Sequence, residues 1–299
     1  MNPGLLYAAL AFTLWGLFPL YFRLVASVPA LEIVLHRSVW SLVFVLLVLT
    51  GLRRWAWLGH TLRQPKRLAL FAVSALLLSG NWLVYVWAVN NHHVVDSSLG
   101  YFINPLVNVL LGYVVLHERL RRAQWAAVGL AALGVLWLTW QAGQLPWIAL
   151  VLAGSFGLYG LMRKTAALGA LEGLALETLL LAPLALPLLG LWTLQGASAL
   201  NRGDPSLVAM LLLAGPLTAV PLLLFAAGAR RITMATLGLT QYIAPTIQFA
   251  LGVWLFREPF DSARLVGFVF IWTALLLYSA EGWHHNARRA EPVPVLLSE

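Results

Sequence analysis

The chain has 299 residues, 61% of them hydrophobic and 10% charged, with no cysteine and a mean hydropathy of +0.83. A soluble domain is about 25% charged, so an ordinary globular domain is excluded, and the missing thiols exclude disulfides, thiolate catalysis and cysteine metal centres. The formal charge of +8 falls mainly in short segments between apolar runs, which is the distribution of a membrane orientation signal rather than of a nucleic-acid surface.

Taken in chain order, apolar stretches of membrane-spanning length cover 4–22, 31–50, 68–90, 97–116, 123–141, 145–162, 171–192, 206–228, 235–256 and 263–280. The expected fold is an all-α polytopic membrane protein of about ten transmembrane helices. The first stretch lacks the cationic lead of a cleaved signal peptide and is read as mature structure. The last residues, "ARRAEPVPVLLSE", read as disordered, at the end of a cytoplasmic tail over 283–299. With the N-terminus inside, Arg53, Arg54, Arg63, Lys66, Arg67, Arg119, Arg121, Arg122, Arg163, Lys164, Arg230, Arg231, Arg288 and Arg289 are cytoplasmic, 14 of the 19 Lys and Arg. That bias expects a plasma-membrane protein with both termini in the cytoplasm.

Polar side chains inside such spans carry the functional signal. In the first span Pro19 frees the carbonyl of Trp15, since proline cannot donate to the residue four before it. The second span holds Glu32, His36 and Arg37 in "ALEIVLHRSVWS". Burying a charge there costs at least ~2.5 kcal/mol, so Arg37 should face a cavity or a partner. Three roles stay open for this cluster: binding a charged substrate group, carrying a coupling proton through Glu32 or His36, or a structural set at the outer mouth. Glu32 and Glu172 lie near helix ends, where water could solvate them. The third span offers Asn81 and Tyr85, with Ser74 on the same side.

In the fourth span Tyr101, Asn104 and Asn108 share one helix face, and Pro105 frees the Tyr101 carbonyl. The sixth holds Tyr159 among Gly154, Gly157 and Gly160, and the seventh holds Glu177. In the ninth, Gln241 and Gln248 share a face and Pro245 frees the Gln241 carbonyl. These amides either line a water-filled cavity or hydrogen-bond helices together. Glu118 and Glu258 end the fourth and ninth spans and should hold loops. The pairs His92–His93 and His284–His285 lack the i, i+4 spacing of a helical metal site, and no metal or cofactor is expected.

The chain also repeats itself. "LGYFINPLVNVLLGYVVLHERL" from Leu99 and "LTQYIAPTIQFALGVWLFREPF" from Leu239 align without a gap at an offset of 140, placing Pro105 on Pro245, Glu118 on Glu258 and Asn108 opposite Gln248. The same offset sets "ALE" at Ala30 over "ALE" at Ala170, Arg23 over Arg163 and Arg37 over Glu177. A duplication of five spans must insert its second copy upside down. The expectation is two inverted five-helix repeats, 1–141 and 142–282, with a substrate site near the midplane between them. An Arg37–Glu177 contact between the halves is one way to neutralise both charges.

"WGLFPLYFR" at 15–23, "ALEIVLHRSVWS" at 30–41, "SLGYFINPLVNVLLGYVVLHERL" at 98–120 and "APTIQFALGVWLFREPF" at 244–260 closely resemble the RarD branch of the EamA family in the drug/metabolite transporter superfamily. The resemblance covers about 4–282. It implies ten helices, inverted repeats, a bacterial inner-membrane location and export of a small metabolite or drug. The chain is thus expected to be a secondary active exporter of a small polar or amphipathic compound, working by alternating access with protons as a coupling ion. Its partners would be a small-molecule substrate and the lipid bilayer, with no nucleic acid, as a monomer or homodimer. The competing reading is a non-transport scaffold or assembly protein that keeps the fold. No P-loop, H-E-x-x-H or G-x-S-x-G motif supports an enzyme. Neutral amides with few midplane charges fit a zwitterion or an uncharged compound better than a phosphate ester.

Overall fold

The computed structural model describes residues 2–90, 94–143, 147–255 and 262–290, and these form helices joined by short turns. The first span is two helices, α1 (Pro3–Gly16) and α2 (Phe18–Leu24), followed by α3 (Ala30–Gly51), a short α4 (Ala56–Leu62), α5 (Pro65–Asn90), α6 (Val94–Val114) and α7 (Arg122–Ala142). Then come α8 (Trp147–Thr165), α9 (Ala170–Leu194) and α10 (Pro205–Ala229). The ninth span is α11 (Met234–Gln241), α12 (Ile243–Ala250) and a π-helical turn (Leu251–Leu255), and α13 (Ser262–Ala290) is the tenth. Seven of the described stretches are long and apolar enough to cross a membrane by themselves. The helices α6, α8 and the broken α11–α12 complete the ten spans.

Local chemistry explains the breaks. Pro19 and Pro245 sit in the first turns of α2 and α12, where the missing N–H would be free anyway, so each restarts a helix after a one-residue interruption at Leu17 or Tyr242. Pro105 differs from these two in lying inside one continuous helix, α6. Small residues bring backbones together. A Cβ on Gly134 of α7 would lie 2.8 Å from the Gly267 carbonyl of α13, and one on Gly215 of α10 would collide with the Trp40 carbonyl of α3. Such small-residue seams let dispersion act where no water drives helices together.

Two expectations are corrected at the edges. The helix α4 between the second and third spans was not foreseen. The helix α13 continues through Ala290, so 283–290 of the expected tail are helical. Arg121 at the start of α7 pairs with Glu281, and no proline interrupts the run before Pro292. His92, His93, Glu258 and the side chains of His284 and His285 lie outside the described residues.

The Arg37–Glu177 contact is not formed. The helices α3 and α9 run antiparallel. Glu32 at one end accepts from Ser198 and Ala199 just beyond α9, Leu35 and Val39 pack with Leu189, and Arg54 at the other end meets Glu172 at 2.6 Å. Glu177 therefore lies level with the far end of α3, some twelve residues or about 18 Å along the helix from Arg37. Residues equivalent in inverted repeats are carried to opposite ends of the bundle, so the alignment that pairs these two charges also separates them.

Glu177 is neutralised locally instead. Arg163 of α8 approaches it to 3.6 Å, both side chains being 1% exposed, while Ser74 of α5 donates to it at 2.5 Å and Tyr159 at 3.5 Å. Removing one member of a buried pair strands the other charge, at ~3–5 kcal/mol. Arg163→Gln and Glu177→Gln should each lower stability by that order in chemical denaturation of the purified protein. The double variant should recover a large part of the loss. Additive destabilisation would remove the ion pair as what ties α8 to α9.

Candidate functional site: a central cavity

A cavity of about 180 Å³ lies among the helices, and its wall includes Trp15, Pro19, Arg37, Asn81, Tyr85, Tyr101, Asn104, Pro245, Gln241 and Gln248. Residues singled out from separate parts of the sequence thus converge on one space. Phe12, Phe18, Phe22, Trp82 and Phe156 also line it.

Interruptions in the helices position the polar groups. The Trp15 carbonyl, deprived of its helical donor by Pro19, accepts from Nε2 of Gln248 at 3.3 Å. Asn81 donates to the Leu152 carbonyl at 2.8 Å and to Ser155 Oγ at 2.9 Å, which ties α5 to α8. Asn104 donates to the Ala153 carbonyl at 3.1 Å. Nδ2 of Asn108 donates to Asn104 Oδ1 at 3.0 Å and to Gln241 Oε1 at 3.1 Å, so the amide ladder of α6 extends to α11. The amides therefore join helices, and Asn81, Asn104, Gln241 and Gln248 also present polar surface to the cavity.

Arg37 occupies the wall between this cavity and a second one of about 550 Å³. Phe22, Arg37, Trp82 and Tyr85 line both, and the second is bounded by residues 26–30 in the turn before α3. Nε of Arg37 donates to Thr218 Oγ1 of α10 at 2.9 Å. Its guanidinium carbon lies 4.4 Å from the ring centre of Trp82, 5.5 Å from Phe18 and 5.9 Å from Phe22. Thr218 and Trp82 were not anticipated. Thr218 had a legible signal, being the only polar side chain of α10 beyond its first turn.

Other expected site residues lie behind the wall. Asn108 is 1% exposed and Tyr159 is fully buried, stacked on Phe225 at 6.0 Å. Phe12, Trp15, Phe156 and Phe225 join it in a continuous aromatic cluster between the cavity and Glu177. Glu32 and Glu172 are not solvated, because helix packing closes over them. Oε1 of Glu32 accepts from Ser198 Oγ and the Ala199 amide, both at 2.6 Å. The His36 Nδ1 accepts from Trp40 Nε1 at 3.0 Å, which leaves Nε2 facing Glu32 at 3.6 Å.

The end of the bundle rich in Arg and Lys is tied shut. Glu118 caps α11, accepting from the amides of Met234 at 2.8 Å and Ala235 at 3.3 Å, where the helix dipole favours a carboxylate. Lys164 donates to the carbonyls of Ala229 and Ile232. Arg230 donates to those of Ala166 at 2.8 Å and Leu168 at 2.5 Å. The second cavity lies towards the opposite end.

Comparison with known proteins agrees with this architecture. The profile of the EamA-like transporter family matches residues 2–140. An uncharacterized transporter of Pseudomonas aeruginosa is 46% identical over 98% of both chains. Protein RarD of Streptomyces exfoliatus is 49% identical over 97% of this chain and 91% of its own. A solved crystal structure of a protein superposes on 97% of this chain and 99% of its own with a TM-score of 0.69 at 20% identity, which speaks for the fold alone. On its own residues and on these relatives, the chain belongs to the RarD branch of the EamA-like transporter family.

Proposed function

We propose that the chain is a secondary transporter that exports a small polar or amphipathic compound by alternating access, with the central cavity as its substrate site. The observation that carries this reading is the convergence of α2, α3, α5, α6, α11 and α12 on one cavity with polar groups in its wall. Irregular backbone and buried amides at this depth are tolerated where they line such a space or are paired within protein. The duplication supports two inverted units, 1–141 and 142–282, whose relative rocking would expose the cavity to each side in turn. The positive-inside rule supports a cytoplasmic location for the end bearing Arg53, Arg54, Arg163, Lys164 and Arg230, in a bacterial inner membrane with both termini inside. On that orientation the conformation is closed to the cytoplasm by the carbonyl clamps of Lys164 and Arg230, and the second cavity leads outward.

We propose Glu32, His36, Arg37 and Glu177, all buried, as the coupling or gating groups. The support for Glu32 and His36 is their mutual approach away from the cavity wall. The support for Glu177 is its place beneath the aromatic cluster beside Arg163.

The orientation is tested by labelling, for which the absence of native cysteine is an advantage. A cysteine at exposed Arg53 should react with a membrane-impermeant reagent only from the cytoplasmic side, and one at exposed Arg202 only from outside. Labelling of both from one side would overturn the ten-span arrangement.

The site is tested by flux. A thermal-shift screen of amino acids, amines, vitamins and antibiotics would select a ligand for counterflow in proteoliposomes. Gln248→Leu removes the donor to the Trp15 carbonyl, which should lower stability by ~1–3 kcal/mol and reduce flux by removing a polar group from the cavity wall. Gln241→Leu should act similarly through Asn108. Wild-type flux in both, with normal insertion, would assign these amides to packing.

A further inference from the structure

We propose that the cavity selects monoanionic carboxylates with a compact planar apolar body, and that Arg37 is the residue that receives the carboxylate. This rests on the reading that the central cavity is the substrate site, and it adds the chemical class of the substrate.

Charge is the first argument. Among the described residues of the wall, Arg37 is the only formally charged side chain, and no Asp or Glu joins it. Nor does any described carboxylate lie within ion-pair distance of Arg37, in contrast to Arg163, which has Glu177. A cation held at this depth needs an anion or a cavity to face, and this one faces two cavities.

Geometry is the second. The guanidinium is held, not free: Nε is tied to Thr218 at 2.9 Å and Trp82 lies over its carbon at 4.4 Å. Cation–π contacts of this kind orient the planar group without neutralising it. Among the described residues Thr218 is the only hydrogen-bond acceptor on Arg37, and neither Nη is sealed in protein without a partner. The two Nη groups thus remain for a ligand, and their fork matches the two oxygens of a carboxylate.

The rest of the wall defines the body. Trp15, Trp82 and Phe156 offer aromatic surface suited to a ring, and a volume of about 180 Å³ suits a compact body. A zwitterion would bring an ammonium group to a wall with no described carboxylate. A phosphate ester would bring two negative charges to one cation. The sequence-level preference for a zwitterion or neutral compound therefore shifts to a monoanion. Arg37 lines the second cavity too, so it would attract the anion from that side as well as hold it in the central space.

The test uses the full-length protein in nanodiscs and three matched sets of probes: phenylacetate, benzoate and indole-3-acetate, their amides, and amines of the same ring size. Isothermal titration should show at least one acid binding tenfold or more tightly than its amide and amine. Arg37→Gln should abolish that preference, and Arg37→Lys should retain part of it, since a point charge keeps the attraction but loses the fork. Equal binding of acid and amide, an unchanged preference in Arg37→Gln, or no binding of any acid at millimolar concentration would each overturn the proposal. The comparison of acid with amide on the wild-type protein decides the matter even if the variants fail to fold. Preferential acid binding with no flux in proteoliposomes would instead overturn the transport reading and leave the carboxylate site standing. Flux of neutral or cationic probes without acid preference would do the reverse.

Discussion

A polar group inside hydrocarbon has no water to bond, so it must find its partner within the protein, and this constraint organises the molecule. The carbonyl of Trp15, released by Pro19, is met by Gln248 from the far end of the chain. Asn108 joins Asn104 to Gln241, and Tyr242 donates to the carbonyl of Phe102, its counterpart in the first repeat, at 3.1 Å. Each bond is worth only about 1 kcal/mol net, but leaving the same group unpaired costs more. Their value is positional. They require α1, α6, α8, α11 and α12 to meet at defined heights, and the cavity is the space left between them.

The same constraint separates the charged groups into different roles. Arg163 and Glu177 satisfy one another with help from Ser74 and Tyr159. Glu32 is absorbed in capping the turn after α9, and Glu118 in capping α11. Arg37 is held by a hydroxyl and aromatic faces, which fix its orientation and leave its charge without a counter-ion among the described residues. The bundle thus pairs these carboxylates locally and leaves Arg37 facing two cavities, the arrangement on which the proposed carboxylate site rests.

Mobility follows from where the bonds are made. The Arg- and Lys-rich end is closed mainly by side chains that reach across to main-chain carbonyls, as Lys164 and Arg230 do. These part-buried bonds can be exchanged for bonds to water when that end opens. The small-residue seams, such as Gly134 against Gly267, allow no such exchange. In the proposed cycle the seams would move as units while the clamps open.

The sequence by itself determined the class, the ten spans and the duplication, because each is written in a one-dimensional pattern: apolar length, cation placement and an offset of 140. It also made most of the cavity wall legible, since Tyr101, Asn104, Gln241 and Gln248 stand out against apolar neighbours. The tertiary structure alone decided who meets whom. Arg37 and Glu177 are equivalent along the chain, but the antiparallel register of α3 and α9 sets them far apart, so Arg163 and Thr218 became the partners. Asn108 and Tyr159 share a pattern with the wall yet lie behind it, because a helix face is wider than the strip that reaches a cavity. Partner choice depends on distances between helices in three dimensions, and spacing along one helix carries no record of them.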